Sequence, residues 1–443
     1  MIQPVRIAWF SPLPPARSGI ASYSADLVPR LAPAHAIDCF SDANARDFVW
    51  TARRDPYDLV VYQLGNAPCH DYMWAYLAAF PGLVVLHDAR LHQARARDLL
   101  QQERFDDYRR EFWYDHPEAP RDVVEYAVAG LGGPIYYCWP MLRVVMRTAR
   151  LVAVHNPRVA ADLRDEFPGT PVDAIHLGTA PRAAGPAARS HVRAALGVPD
   201  EAVLFAAFGK ITSEKRVGAI LRAFAAVARE RPDVHLLLAG DASGYPTLGR
   251  ELGASAHAPR IHVCGYLADE AIGDYLAASD ACLCLRWPTA LETSASWLQC
   301  LAAARPTVIS DLAHLVDIPT IEPRGRLASH ASAEPVVITA AAMRIDLLDE
   351  DESLRLAMRV LADDPRLREA LGRAGYAYWS AHHTLDVMAE DYQRLIARAA
   401  ARPAPAVGDL PPHFTEDHSQ TARAITKAFG VSDFGFQKSD FTF

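Results

Sequence analysis

The stretch Ala202–Gly240, AVLFAAFGKITSEKRVGAILRAFAAVARERPDVHLLLAG, decides the fold. Ala202–Phe208 is an apolar run of strand length, and Gly209 ends it. Val217–Arg229 carries a helical pattern. Val234–Ala239 is a second apolar run and stops at Gly240. Strand, helix and strand in this order make one βαβ unit and predict a parallel sheet. The alternation continues downstream: Ile261–Cys264 reads as a strand, Glu270–Ala278 as a helix, and Ala281–Leu285 as a strand. Ser294–Ala304 then reads as a helix and Thr307–Ser310 as a strand. Upstream, Val5–Ser11, Ala36–Phe40, Asp58–Leu64, Gly82–Leu86, Leu151–His155 and Pro171–His176 read as strands, and Ser22–Leu31 as a helix with Pro29 in its last turn. These strands are nearly continuous Val/Leu/Ile runs, as in a sheet buried on both faces. The expected class is α/β, with a doubly wound domain in each half.

The chain has 443 residues, 51% of them hydrophobic and 22% charged, enough for large cores and too apolar for global disorder. The formal net charge of −8 argues against a general nucleic-acid binder. No uncharged apolar run approaches the roughly 20 residues that span a bilayer. The N-terminus does not read as a signal peptide. Seven scattered cysteines then point to reduced thiols in the cytoplasm, with Cys282 and Cys284 as core residues. Gly178–Ser190 is small and nonperiodic, and reads as the linker. The expected organisation is an N-terminal domain over 1–180, a linker over 181–195 and a C-terminal domain over 196–383. A helix over 384–400 and a Pro-rich linker with an aromatic tail over 401–443 follow. Phe434, Phe436, Phe441 and Phe443 are expected either to form a partly ordered tail or to dock on this chain or a partner. Leu91–Arg150 reads as largely helical. Its aromatics Phe112, Trp113, Tyr114, Tyr136, Tyr137 and Trp139 are expected to pack in the core rather than to meet an acceptor.

In doubly wound domains ligands bind where strands lead into helices at their carboxyl ends. Four constellations stand there. Gly209-Lys210 with Lys215 places two cations beside a glycine in a loop entering a helix, suited to a diphosphate. Arg286–Ser296 ends a strand and opens a helix at Thr293, Ser294 and Ser296, with Glu292 placed to accept hydrogen bonds from sugar hydroxyls or to cap the helix. His87-Asp88 follows a strand, with Arg90 and His92 close behind. A hydrogen bond to a sugar hydroxyl and a satisfied structural role are both open for His87, and a metal site is disfavoured. Gly19, before the first helix, permits close approach of a ligand. Asp349-Glu350-Asp351 has the DxD form of metal-dependent sugar transferases, but it leads into a helix and reads as a solvated surface.

In this order and spacing the segments resemble the retaining GT-B glycosyltransferases of the family-4 type. The resemblance rests on residues 205–240, on 260–311 with its PTALETSASWLQC loop, on PxxSGIASYSADL near the N-terminus and on VVLHD, and covers most of residues 1–400. It implies two Rossmann-like domains facing a cleft. Lys210 and Lys215 would bind the donor diphosphate, with Gly209 and Gly240 in the same loops. Thr293, Ser294, Ala295 and Ser296 would offer backbone N–H groups, and Glu292 would contact sugar hydroxyls. Tyr266 and Leu267 would flank the base. Gly19 would approach the phosphates, and His87 would lie near the transferred sugar. The implied catalytic set is His87, Lys210, Lys215 and Glu292, working with retention and without a metal or bound cofactor. The donor would be a nucleotide-diphosphate sugar, and the acceptor a glycan, lipid-linked or other hydroxyl. Membrane contact would be at most peripheral, at the inner face. Three positions depart from the family. Gln299 stands where a ribose-binding glutamate is common, and Leu291 and Ala304 where glycine is usual. Two alternatives follow: a nucleotide-sugar epimerase of the same architecture, and a catalytically degenerate binding subunit.

Overall fold

The computed structural model describes residues 4–327, 338–406 and 408–416. The described residues fall into two compact units. The first takes those within Met1–Ile175, Ala290–Thr293 and Ala389–Phe443, and the second those within His176–Thr289 and Ser294–Met388.

The first unit is built on six parallel strands, β1 (Arg6–Phe10), β2 (Ala36–Phe40), β3 (Leu59–Leu64), β4 (Leu83–Leu86), β5 (Leu151–Val154) and β6 (Val172–Ala174), in the order β2-β1-β3-β4-β5-β6. Successive side chains point to opposite faces. Ala8, Phe10, Val60, Tyr62, Leu64, Val84 and Leu86 therefore share one buried cluster. Trp9 is equally buried and meets Tyr392 of the helix Leu385–Ala400, ring centroids 5.6 Å apart. The first helix runs Gly19–Leu31 and continues through Pro29 to Leu31. Between β4 and β5 lie five helices within residues 92–148. Their aromatics form a small core of their own: Tyr108 and Phe112 are fully buried, with Trp113, Tyr136 and Trp139 packed against them. Phe112, Trp113, Tyr136 and Trp139 thus pack in this core, as expected.

The second unit holds seven parallel strands, β7 (Val203–Phe208), β8 (Val234–Ala239), β9 (Ile261–Val263), β10 (Ala281–Cys284), β11 (Thr307–Ser310), β12 (Thr320–Ile321) and β13 (Ala342–Ile345), ordered β12-β13-β11-β10-β7-β8-β9. Both faces are covered. Phe205 and Ala207 enter one core, and Leu204, Ala206 and Phe208 the other. The helix Val217–Glu230 buries Ile220, Ala223, Phe224 and Val227, one apolar stripe at three- and four-residue spacing. Residues 181–195, read as linker, end in the helix Ala188–Leu196. Its Arg193 is fully buried and donates to the carbonyls of Ala278 and Pro199 at 3.1 and 2.7 Å.

The chain returns to the first unit at its end. Pro412–Phe414 forms a single turn. His413 Nε2 lies 2.7 Å from Glu111 Oε1, whose carboxylate also takes a 2.8 Å hydrogen bond from Arg95 Nε. Burial opposes ionisation of Glu111, but Arg95 and His413 outweigh it and hold its carboxyl below the usual range. Phe434, Phe436, Phe441 and Phe443 lie outside the described residues.

Candidate active site

The strand order reverses between β1 and β3 in the first sheet and between β7 and β10 in the second. Loops leaving the two strands at such a point diverge and open a crevice at the carboxyl edge.

In the second unit that crevice is made from backbone and lysines. Gly209, directly after β7, has φ +89°, a conformation natural only to glycine. A Cβ there would lie 2.6 Å from Lys215 Nζ and 3.9 Å from Ser296 Oγ. Gly209, Lys215 and Ser296, 87 positions apart at the extremes, are therefore neighbours. The Lys215 ammonium donates to the Phe208 carbonyl. Gly240, at the end of β8, is equally constrained, since a Cβ would lie 2.0 Å from Gly209 O. Lys210 Cε would be 3.3 Å from a Cβ on Gly244 in the next loop. The Trp287 N–H donates to Glu214 O at 2.7 Å, which ties the loop after β10 to the turn Ser213–Lys215.

The helix Ala295–Ala302 starts in this loop. The Ser294 hydroxyl caps it by accepting from Trp297 N–H, 3.3 Å, and lies 3.2 Å from Ser296 Oγ. Free N–H groups at a helix start favour an anion. Gln299 is half-buried on the same helix. Tyr266 follows Gly265, whose φ is +71°, and stands 51% exposed, while Leu267 packs against the core of Phe208 and Leu237.

Residues 290–293 belong to the first unit. Ala290 N–H donates to Glu292 Oε2 at 2.8 Å, and Thr293 Oγ1 donates to His155 O at 3.0 Å. Glu292 thus takes part in its own loop, and Thr293 is spent on a carbonyl. Two of the departures from the family pattern are conformational. Leu291 has φ +63° and Ala304 φ +53°, so both keep the left-handed backbone that glycine adopts without strain.

In the first unit, Gly19 opens its helix with nothing within 4 Å of a Cβ, and Ser18 caps it. His87 follows β4. Its Nε2 is 2.8 Å from Gln63 Oε1, and its ring stands edge-on to Tyr23 at 4.8 Å and near His155 at 4.9 Å. Burial, with His155 and His70 nearby, pushes the imidazole well below its usual range, so it is neutral at pH 7. His92 is fully buried with Nε2 2.6 Å from Tyr108 OH. Among the described residues no group of three or more His, Cys, Asp or Glu side chains is arranged to hold a metal ion.

In the acidic run 349–351, Asp349 is partly exposed and Asp351 exposed, as expected, and Glu350 corrects the expectation. It is buried and receives the Arg216 guanidinium, Nε to Oε1 at 2.7 Å. Arg216 has φ +57° and opens the helix Val217–Glu230 immediately after Lys215. Glu350 therefore anchors the lysine turn. The signal in the sequence was the acid's place at the start of a helix, but its partner lies 134 residues away.

Residues 202–345 match the family model described as Glycosyl transferases group 1. No curated protein matches the chain. Several solved structures share its fold. Anabaena Alr3699/HepE, in complex with UDP and glucose, is 14% identical with a TM-score of 0.58 over 89% of this chain and 99% of that one. Sucrose-phosphate synthase of Thermosynechococcus elongatus is 16% identical with a TM-score of 0.60, covering 89% and 98%. WaaG, a glycosyltransferase involved in lipopolysaccharide biosynthesis, is 15% identical with a TM-score of 0.56, covering 88% and 99%. The two parallel-sheet α/β units thus share the GT-B fold of these structures, and residues 202–345 carry the domain described as Glycosyl transferases group 1.

Proposed function

We propose that the protein transfers a sugar from a nucleotide-diphosphate donor to an acceptor hydroxyl with retention at the anomeric carbon. One observation carries this reading: the point above Gly209 where no side chain can stand is bordered by Lys215 Nζ at 2.6 Å and Ser296 Oγ at 3.9 Å. A phosphate can approach the backbone there and meet a cation and a helix start together. Lys210 and Lys215 would stabilise the charge that builds on the departing diphosphate. Glu292, Thr293, Ser294, Ala295, Ser296 and Gln299 would hold the sugar, phosphates and ribose. Gly240, Tyr266 and Leu267 would shape the nucleotide side, and Gly19 the side facing the phosphates.

In the proposed step the acceptor oxygen bonds to the anomeric carbon on the face from which the phosphate oxygen departs. The acceptor's proton passes to that phosphate oxygen, and the nucleoside diphosphate leaves. His87, as a neutral imidazole, would hydrogen-bond the transferred sugar. Solved relatives that hold UDP or UDP-glucose support a nucleotide-sugar donor. No helix of the described residues is long and apolar enough to cross a membrane. We place the enzyme in the cytoplasm, in glycan or glycoconjugate synthesis, with peripheral membrane contact at most.

The test is calorimetry and thermal shift with UDP-, GDP- and ADP-sugars on wild type and on Lys210→Ala/Lys215→Ala. One donor should stabilise wild type and bind the variant about 100-fold more weakly, the loss of roughly 3 kcal/mol of charge-assisted bonding. No binding to well-folded wild type would favour a degenerate subunit. Turnover of donor to an epimeric sugar without an acceptor would favour an epimerase.

A further inference from the structure

Gln63 is a polar residue inside the strand LVVYQL, and every residue of that strand is buried. A buried amide that lacks partners is destabilising by several kcal/mol. This one has them. Its Nε2 donates to Tyr392 OH at 3.0 Å, and that phenol accepts from Tyr23 OH at 2.7 Å and donates to Gln63 Oε1 at 3.3 Å. Oε1 also lies 2.8 Å from His87 Nε2, and an amide oxygen only accepts, so that nitrogen carries the hydrogen. Gln63 and Tyr392 are both fully buried. All four residues lie in the first unit, at the carboxyl ends of β3 and β4 and on two helices.

We infer that Gln63 and Tyr392 are positioning residues for His87, fixing its imidazole as the Nε2–H tautomer and leaving Nδ1 as the acceptor. The role in catalysis rests on the transfer reading above; the tautomer does not. The hydrogen bond between Gln63 and His87 selects one ring nitrogen, and Tyr392, itself bonded to Tyr23, holds the amide in place at both of its polar atoms. Nδ1 would then accept a hydrogen bond from a sugar hydroxyl, a task imidazolium cannot perform. The titratable groups facing this cluster are His155, His70, Tyr23 and Tyr392, with Asp391 acting on Tyr23.

The test uses the full chain with ¹⁵N-labelled histidine, His87 being assigned by comparison with His87→Gln. Wild type should show a neutral Nε2–H ring from pH 5.5 to 8. Gln63→Met should give a tautomer mixture, and Tyr392→Phe a smaller shift in the same direction. Tyr392→Phe also serves if Gln63→Met does not fold. In turnover, Gln63→Met should lower kcat at least 10-fold with the donor KM unchanged. Gln63→Glu should make kcat rise with pH across 6–8, because a carboxylate beside Nε2 stabilises the protonated ring. A merely structural role would lower stability without altering the tautomer or the pH profile. An Nδ1–H ring in wild type, or a tautomer unmoved in both folded variants, would overturn the inference. So would a kcat–pH profile of Gln63→Glu identical to wild type. If no sugar is transferred at all, the transfer reading fails, and the NMR arm still decides the positioning by itself.

Discussion

The carboxyl edges of the two sheets are built from opposite materials. Between β7 and β10 the crevice is made of backbone, with Gly209 and Gly240 approaching within a missing Cβ of their neighbours and two lysines in the adjoining loop. At the edge of β3 and β4 the space is filled by side chains: Gln63, Tyr23, Tyr392 and His87 close a hydrogen-bonded interior in which the imidazole is neutral. In the proposed reaction the first arrangement would admit an anion and neutralise it. The second keeps charge out and fixes the direction of hydrogen bonds. One topology thus serves two chemistries, because topology sets where a site lies and not what it is made of.

If the first unit is governed by side chains, removing one partner of its buried ion pair should have the largest effect. Glu111→Ala leaves Arg95 buried without its carboxylate, and unfolding in urea should show a loss of roughly 3–5 kcal/mol. A loss below about 1 kcal/mol would break the comparison. If the second unit is governed by backbone, one methyl should disturb it. Gly240→Ala forces a Cβ against Gly209 O, and the loops should shift at a cost of about 2–3 kcal/mol, with nucleotide binding lost.

Acid offers a third probe. His70 and His92 are fully buried and pushed down to about 4, chiefly by burial. Below about pH 6.5 the unfolded chain binds protons that the folded chain refuses, so stability falls as pH drops from 6.5 to 4. Each should contribute roughly 2 kcal/mol of destabilisation by pH 4.5, seen as a falling melting temperature. Replacing His92 with phenylalanine should flatten that slope, while an unchanged slope would show that the imidazole is not held neutral. The smallest effect concerns the glycine-like backbone. Ala304→Gly should stabilise by about 0.5–1 kcal/mol, the left-handed strain less the added chain entropy. Leu291→Gly should gain little, because its side chain packs against the core that holds Leu64 and Leu86. Equal gains at both would show that the leucine packing is idle.

Much of this was legible. The strands Ala36–Phe40, Val234–Ala239 and Thr307–Ser310 have the bounds read from their apolar runs. Topology then pointed to the loops after β7 and β10. Two strands were missed for physical reasons: Thr320–Ile321 is too short to show a period, and Ala342–Ile345 lacks a β-branched run. The polar interior of the first unit was illegible except for one trace, the glutamine inside LVVYQL. Its partner Tyr392 stands 329 residues away, and nothing local to either residue announces the pairing. Leu291 and Ala304 were flagged only as departures from a glycine pattern. The backbone shows that the conformation outlived the residue.

The span of these contacts bears on how the chain is made. Tyr23 waits for Tyr392, His35 for Gln393 and Glu111 for His413, pairs separated by 369, 358 and 302 residues. At a ribosomal pace of about 5–20 residues per second, some 300 residues take roughly 15–60 s to emerge. For that interval Gln63 and Glu111 lack their late partners Tyr392 and His413. The unit whose strands are synthesised first is thus the last to receive all of its contacts.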